Sequence, residues 1–472
     1  MTAPVQSNAE QIEYLLGKFG RDASELKVNN AYYNGTYRPK AVGLAVPPAM
    51  KHLLAQIGWS RTYLGSLEER LDIEGFILAG KSKADDRLWQ WWQANRMDVE
   101  SGLAHTEALV HGRAYVTIAA PNPNDPLMDP TTPVIKVESP RSMYAEVDPV
   151  SGRVTRAIRV YNVPVGVTTV KVRKITLYLP NSTIGYVESN RVGNNNGWIE
   201  EWRVDHNLGI VPVVPILNKE RIEQQDGCSE IKPELRSVSD AASRLMMNMQ
   251  ATAELMAIPQ RVIFGVDRAE IMGQTGESSW EAYIANLLAF EDPDGKISQF
   301  AAAELRNFGE GMEMLRKEAS GYTGLPPQYF SFSSDNPASA DAIRASEDRL
   351  VKKAERKCRM FGEAWEMVMR IALKVMDGTI PTDAFRMETV WRNPATPTFA
   401  AMADAVVKLA TAITPDGRAV IPVEMARIKL NFSIGEREEM ENMDKNSPRG
   451  RLAELYGPPV TGRTQLPEGR DE

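Results

Sequence analysis

Residues Gly75–Ser82, GFILAGKS, match the phosphate-loop pattern G-x-x-x-x-G-K-S letter for letter. Such a loop wraps nucleotide phosphates in backbone N–H groups directly after a buried strand, and a P-loop ATPase built here would use Lys81 and Ser82. The residues between the glycines are Phe76, Ile77, Leu78 and Ala79, an apolar run suited to being the strand itself. The preceding EERLDIE makes no hydrophobic strand. No convincing strand ending in a metal-binding Asp occurs elsewhere; LLAFED, Leu287–Asp292, comes nearest. The context therefore argues against the pattern, and the ATPase stands as the second reading.

The other chemically capable residues are no better arranged. The histidines are His52, His105, His111 and His206. His105 and His111 lie six apart, not the four that puts two ligands on one helical face. No Ser/His/Asp or Cys/His pairing and no G-x-S-x-G elbow occurs, and the carboxylates are too scattered to assemble a two-metal site from spacing. Cys228 and Cys358 are the only cysteines, too few for a disulfide framework or a four-thiolate zinc site. No catalytic residue, cofactor or metal is expected. A non-enzymatic scaffold or adaptor is the blander alternative.

Composition narrows the class further. A chain of 472 residues, 43% hydrophobic and 25% charged, is ordinary globular material, long enough for two to four subdomains. Its formal charge, 55 − 62 = −7, excludes a sequence-reading DNA binder with a basic face, though not a protein past which DNA slides. The start lacks the basic region and apolar core of a signal peptide. GIVPVVPILN (Gly209–Asn218) is too short and proline-broken to span a bilayer. A soluble protein folded in a reducing cytoplasm is expected.

The elements follow from periodicity. The first hundred residues read as short helices with one strand. From Ala84, apolar Leu88, Trp92, Val99, Leu103 and Val110 predict one-sided helix, with Trp89, Trp91 and Trp92 as core. From Arg113 to Val204 the pattern turns to strands: RAYVTIAA, PVIKVE, GRVTRAIRVY and VKVRKITLYL, with an Asn-Gly turn in NNNGW. Pro233–Ala257 then reads as a helix about 37 Å long. Its predicted face is Leu235, Val238, Ala242, Leu245, Met249 and Met256. A second helix carries Leu305, Phe308, Met312, Leu315, Ala319 and Tyr322, and Gly309 and Gly311 weaken it. After the polar stretch GLPPQYFSFSSDNPASADA comes the strongest helix, Asp341–Met376, about 54 Å long. Along it Ile343, Leu350, Ala354, Cys358, Phe361, Trp365, Val368, Ala372 and Val375 step by threes and fours. Its cationic patch Lys352–Arg359 reads as a solvated face or as a dock for a polyanion or neighbouring subunit. One or two short helices and a Pro/Gly/charge-rich tail, disordered at its end, close the chain.

This order of elements resembles the portal proteins of tailed double-stranded DNA bacteriophages, the siphovirus head-to-tail connectors. EALVHGRAYVTI (Glu107–Ile118) looks like the family's apolar helix ending at a Gly-Arg-Ala-Tyr strand start, and GRVTRAIRVY is similar to its next strand. GIVPVVPILN and GCSEIKPELRSVSDAASRLMMNM resemble the approach to the first stem helix, and IPQRVIFG (Ile258–Gly265) its exit. SGYTGLPPQYFSFSSDNPASADAIRASEDRLVKKAERK is the most telling stretch. The likeness runs from about Gly35 to Asp444.

The resemblance implies an α+β portal fold with wing, stem, clip and crown regions, assembled as a ring, typically a dodecamer. Residues 1–232 become an N-terminal α/β wing region, 233–257 the first stem helix, 258–303 the clip and 304–324 the second stem helix. Residues 325–340 become the tunnel loop, 341–396 the wing long helix and strand, 397–446 crown helices and 447–472 a flexible tail. Ser331, Phe332, Ser333, Ser334, Asp335 and Asn336 would then line the DNA channel. The implied partners are other copies of the chain, double-stranded DNA without sequence specificity, the terminase large subunit, the major capsid protein and a head-tail adaptor, with no membrane. The implied location is a capsid vertex of the virion, after assembly in the host cytoplasm.

Overall fold

The computed structural model describes residues 7–38, 55–81, 83–164, 171–188, 197–257, 261–264, 287–290, 305–330, 340–395, 399–414, 419–430, 432 and 434–447. In chain order it begins with α1 (Asn8–Arg21), α2 (Ala23–Tyr33), α3 (Trp59–Glu68), β1 (Ile73–Ile77), α4 (Asp86–Ala94) and α5 (Met97–His111). Strands follow: β2 (Arg113–Ala119), β3 (Val134–Glu138), β4 (Met143–Val147), β5 (Val154–Pro164), β6 (Lys171–Tyr178), β7 (Ser182–Glu188), β8 (Trp198–Asp205) and β9 (Val213–Leu217). Next come α6 (Pro233–Ala257), β10 (Arg261–Phe264), β11 (Leu287–Phe290), α7 (Leu305–Thr323) and α8 (Ala340–Asp377). Last are β12 (Glu388–Trp391), α9 (Phe399–Thr411), α10 (Val423–Lys429) and α11 (Ile434–Asn446). This is a mixed α+β chain. Among the described residues no helix is long and apolar enough to cross a membrane.

The chain divides into two compact units. The first comprises Met1–Glu69, Leu103–Thr117 and Val137–Lys353. Its main sheet is antiparallel, ordered β4-β5-β6-β7-β8. Ile158 lies opposite Leu177, and Leu177 opposite Ile184, so three fully buried side chains share one face of the pleat. Helix α1 packs there through Ile12 and Leu15. Its start is fixed by a capping box in which Ser7 Oγ accepts from the Glu10 N–H and the Glu10 carboxylate accepts from the Ser7 N–H. A smaller sheet pairs β2 antiparallel with β9. β8, at the sheet edge, is the strand expected after the NNNGW turn; its Ile199, Trp202 and Val204 are exposed, so it lacks the burial alternation that marks β5 and β6. β10 and β11 pair in parallel, a pairing the sequence did not announce. Asn194–Asn196 of the predicted turn in NNNGW lie outside the described residues, but β7 and β8 on either side of it do pair.

The second unit comprises Arg70–Gly102, Ile118–Lys136 and Ala354–Glu472. β1 and β12 form its antiparallel ribbon. Trp92 is 1% exposed and meets Phe76 and Trp365 edge-on, with ring centroids 5.5 and 5.1 Å away. Trp91 is equally interior and its Nε1–H donates to the Thr131 carbonyl at 3.0 Å. Trp91 and Trp92 are core, as the spacing suggested, whereas Trp89 is half-buried and stacks on Trp92 with ring centroids 6.2 Å apart. The single helix expected from Ala84 is instead two. Arg96 takes a positive φ of 57°, and the Asn95 side chain holds the break by donating to the carbonyls of Trp91 and Pro133 and accepting from the Ile135 N–H. After the break the helical phase changes, which leaves Val99 and Leu103 exposed.

Helix α8 runs one residue further at each end than expected. Leu350, Ala354, Phe361, Trp365, Val368 and Ala372 are all fully buried, on the face their spacing predicted. The cationic patch is not one solvated face. Lys352 is exposed and paired with Asp348 at 2.7 Å, whereas Lys357 is 4% exposed and Lys353 is bonded inward. Helical period explains the split: 353 and 357 fall one turn apart on the side of Leu350, Ala354 and Phe361.

Candidate channel site at the end of the helix pair

Helices α6 and α7 run antiparallel. Leu245, Met246 and Met249 face Phe308 and Met312 at one level, and Leu235 stands beside Tyr322 and Thr323 at another. The inward face of α6 is Leu235, Ser239, Ala242, Ser243, Met247 and Ala251. It keeps Leu235 and Ala242 of the predicted face and adds Ser239, which stands with Ser243 beside Tyr32, Tyr37 and Ile57, while the predicted Leu245 and Met249 lie half-buried against α7. Gly311 belongs to that contact. A Cβ there would stand 3.2 Å from Leu245 Cδ2, so this glycine permits the approach, and α7 continues through it as one helix.

The end of α7 is tightly built. Thr323 Oγ1 donates to the Ala319 carbonyl at 2.7 Å and accepts from the Leu325 N–H at 3.2 Å. Gly324 takes φ +75° and its N–H returns to the Ser320 carbonyl at 2.8 Å, the left-handed stop that glycine makes at a helix C-terminus. Ser320 Oγ donates to the Leu325 carbonyl at 2.6 Å, and Leu325 is 1% exposed. Beyond it, Phe330 is buried edge-on against Trp59 at 5.8 Å, and Tyr329 OH donates to Glu347 at 2.8 Å. Ser331, Phe332, Ser333, Ser334, Asp335 and Asn336 follow directly and lie outside the described residues, as do residues 258–260, 265–286 and 291–303 of the expected clip, and 448–472 of the expected tail.

A polar network meets this anchor from below. Lys353 Nζ donates to the Thr323 carbonyl at 2.6 Å and to Tyr63 OH at 3.1 Å, and lies 5.1 Å from the Tyr63 ring centroid. Tyr63 OH donates to Glu230 Oε2 at 2.8 Å. Asn218 Nδ2 donates to Glu230 Oε1 at 3.0 Å and to the Cys228 carbonyl at 2.7 Å. Burial and the adjacent Glu230 carboxylate push the Tyr63 phenol well above its ordinary pKa, so it remains a neutral donor. A cation on the last carbonyls of α7 also suits the negative end of the helix dipole. The sequence marks Lys353 only as part of a cationic patch and Cys228 only as a cysteine, and singles out none of Tyr63, Asn218, Glu230 and Thr323. Tyr63 and Lys353 lie 290 positions apart, and no local spacing signals such a meeting.

The phosphate-loop pattern is structural. Gly75, Phe76 and Ile77 lie in β1, as the apolar run suggested. The Ala79 N–H donates to the Asp383 carbonyl and the Lys81 N–H to the Leu78 carbonyl, so those groups are spent on protein. Lys81 Nζ pairs with Asp85 at 3.3 Å. Asp85 Oδ1 also caps α4 by accepting from the Leu88 N–H at 3.2 Å, placing a carboxylate where a phosphate would need the helix end. Ser82 lies outside the described residues. Lys81→Ala should leave phosphate release from ATP at background in both proteins and change stability by less than about 1 kcal/mol, as for an exposed ion pair. A malachite-green assay and a denaturation curve check both.

The histidines are equally quiet. Burial alone holds the His105 imidazole down to about 3. Burial with Arg141 and Arg113 holds His111 down to about 4. Both are neutral near neutral pH, and among the described residues no group of three or more potential ligands could hold a metal. His52 lies outside the described residues. Burial pushes the Cys358 thiol up to about 12, an inert core cysteine.

The chain matches the phage portal protein family, SPP1 Gp6-like, over residues 12–447. It is 48% identical over 455 residues to the portal protein of Mycobacterium phage L5, spanning 94% of this chain and 91% of that relative. The portal protein of Mycobacterium phage D29 gives the same identity and spans. The chain belongs to the phage portal proteins, SPP1 Gp6-like, which are structural virion components that associate with the capsid as an oligomeric ring and are not enzymes.

Proposed function

We propose that twelve copies close around a channel for double-stranded DNA, with Ser331, Phe332, Ser333, Ser334, Asp335 and Asn336 at its constriction. The ring would sit at one capsid vertex after assembly in the host cytoplasm. It would pass the genome inward, retain it and release it to the tail. Residues 1–232 and 341–396 would form the wing, 233–257 and 304–324 the stem, and 397–446 the crown. Residues 258–303 would form the clip, meeting the terminase large subunit first and a head-tail adaptor later, while wing and crown face the major capsid protein and packaged DNA. Residues 447–472 would be a flexible tail.

One observation carries the reading. The polar stretch SFSSDNPAS leaves a helix pair from a heavily bonded root, the segment Thr323–Phe330, and contains no Lys or Arg. Neutral hydroxyl and amide side chains exchange weak hydrogen bonds with phosphates. Cations would instead pin the duplex through counterion release. Asp335 and the −7 charge of each chain oppose sticking within about 8–10 Å at physiological salt. Shortening 331–336 should leave rings intact by negative-stain microscopy while packaged or retained DNA falls at least about tenfold, measured by quantitative amplification from nuclease-treated particles. Normal DNA content in such particles would remove the loop from the mechanism.

A further inference from the structure

The tunnel-loop reading leaves open what sets the direction in which the chain departs after Phe330. We infer that Lys353 is the positioning residue of the loop, fixing its root to the base of the first stem helix through Tyr63, Glu230 and Asn218. The inference rests on the reading of residues 331–336 as channel-lining, but its geometry is independent of it.

Three things converge on one ammonium. It holds the carbonyl of Thr323, the last residue of α7, at 2.6 Å. It holds the Tyr63 hydroxyl, whose proton goes to Glu230. It also rides on α8, the helix into which the loop returns at Ala340. Glu230 is 5% exposed and its own N–H donates to the Leu109 carbonyl at 2.9 Å. It stands three residues before Pro233, where α6 starts. One chain of hydrogen bonds thus links the start of the first stem helix, the end of the second and the helix after the loop. Arg349, one turn earlier on α8, adds a second tie by donating to the Gly321 carbonyl at 3.2 Å. A displacement of α6 at its base must move or break these contacts, and leaving the buried Glu230 carboxylate short of its donors is costly.

Merely structural packing would not need this chemistry. A methionine fills the same volume as lysine but donates nothing, while arginine keeps charge and donors. The test is hydrogen exchange on assembled full-length rings of the native chain and of Lys353→Met, Lys353→Arg and Tyr63→Phe. Lys353→Met should speed exchange of amides in 320–330 at least tenfold and leave those of β5 and β6 unchanged. Lys353→Arg should restore most of the protection, and Tyr63→Phe, which removes one hydroxyl, should give an intermediate several-fold rise. Unchanged exchange at 320–330 in both Lys353→Met and Tyr63→Phe would overturn the inference, as would Lys353→Arg exchanging as fast as Lys353→Met. If Lys353→Met does not assemble, Tyr63→Phe and Lys353→Arg decide by the same measure. DNA content of particles carrying the shortened loop is read separately. Normal content there with faster exchange in Lys353→Met would sink the channel reading and leave the positioning role standing.

Discussion

Gly112→Ala is expected to prevent accumulation of folded protein, or to lower its stability by more than about 3 kcal/mol. Gly112 takes φ +88°, and a Cβ there would lie 2.7 Å from the backbone N and C of Cys228. The obstacle is backbone, so no rotamer change relieves it. The crossing segment is also tied in place: the Asn218 N–H donates to the Gly112 carbonyl and the Cys228 N–H to the Asn218 carbonyl, each at 2.8 Å. Separating the two segments enough for a methyl group breaks one or both, at about 1 kcal/mol each before any buried group is left unpaired. The left-handed conformation adds about 1–2 kcal/mol for any residue with a Cβ. Gly17→Ala provides the contrast. It sits in α1 with open space around its Cβ direction and should gain up to about 1 kcal/mol from helix propensity. Soluble yield and chemical denaturation of the two variants check the pair. Equal stability would show that the Gly112 crossing is looser than described.

Trp365→Ala should cost about 3–5 kcal/mol, the range for emptying a buried aromatic site. Trp365 is 0% exposed and stands edge-on to Trp92. It is on the α8 face that also buries Phe361, Val368 and Ala372. Met367, two residues on and 39% exposed, reports the opposite face, and Met367→Ala should shift the denaturation midpoint little. The comparison separates loss of core from loss of helix, since both substitutions install the best helix former.

The long helices were legible because one buried face repeated over many turns. Pro233–Ala257 was bounded to the residue, and α8 to within one residue at each end. What the period could not give was what a helix meets. Gly311 read as a weak point in isolation and proved to be the place where Leu245 approaches. Lys353 and Lys357 read as part of a charged patch, yet their neighbours on the same turn face inward. The break at Asn95–Arg96 depended on bonds from Asn95 to Pro133 and Ile135, nearly forty residues away, which no window of local sequence contains. The Gly-Arg-Ala-Tyr motif carried recognition without explaining itself. Its glycine is the residue that lets two backbones cross at Cys228.

The candidate site divides the same way. The absence of cations in SFSSDNPAS was visible in the letters, whereas the root beneath it was not. That root joins Trp59, Tyr63, Asn218, Glu230, Thr323 and Lys353 from five separate stretches. The phosphate-loop pattern failed for a reason the sequence already contained, an apolar run where a phosphate cradle needs bare backbone.

Electron cryomicroscopy of purified rings, with the density traced through residues 323–340, tests the central claim most directly. Closed rings are expected, with Ser331–Asn336 of every copy at the narrowest point of a central channel and each segment departing from an anchor in which Lys353 meets Thr323. Closed rings with that segment on the outer surface, or a protein that stays monomeric at every concentration and salt tried, would contradict it.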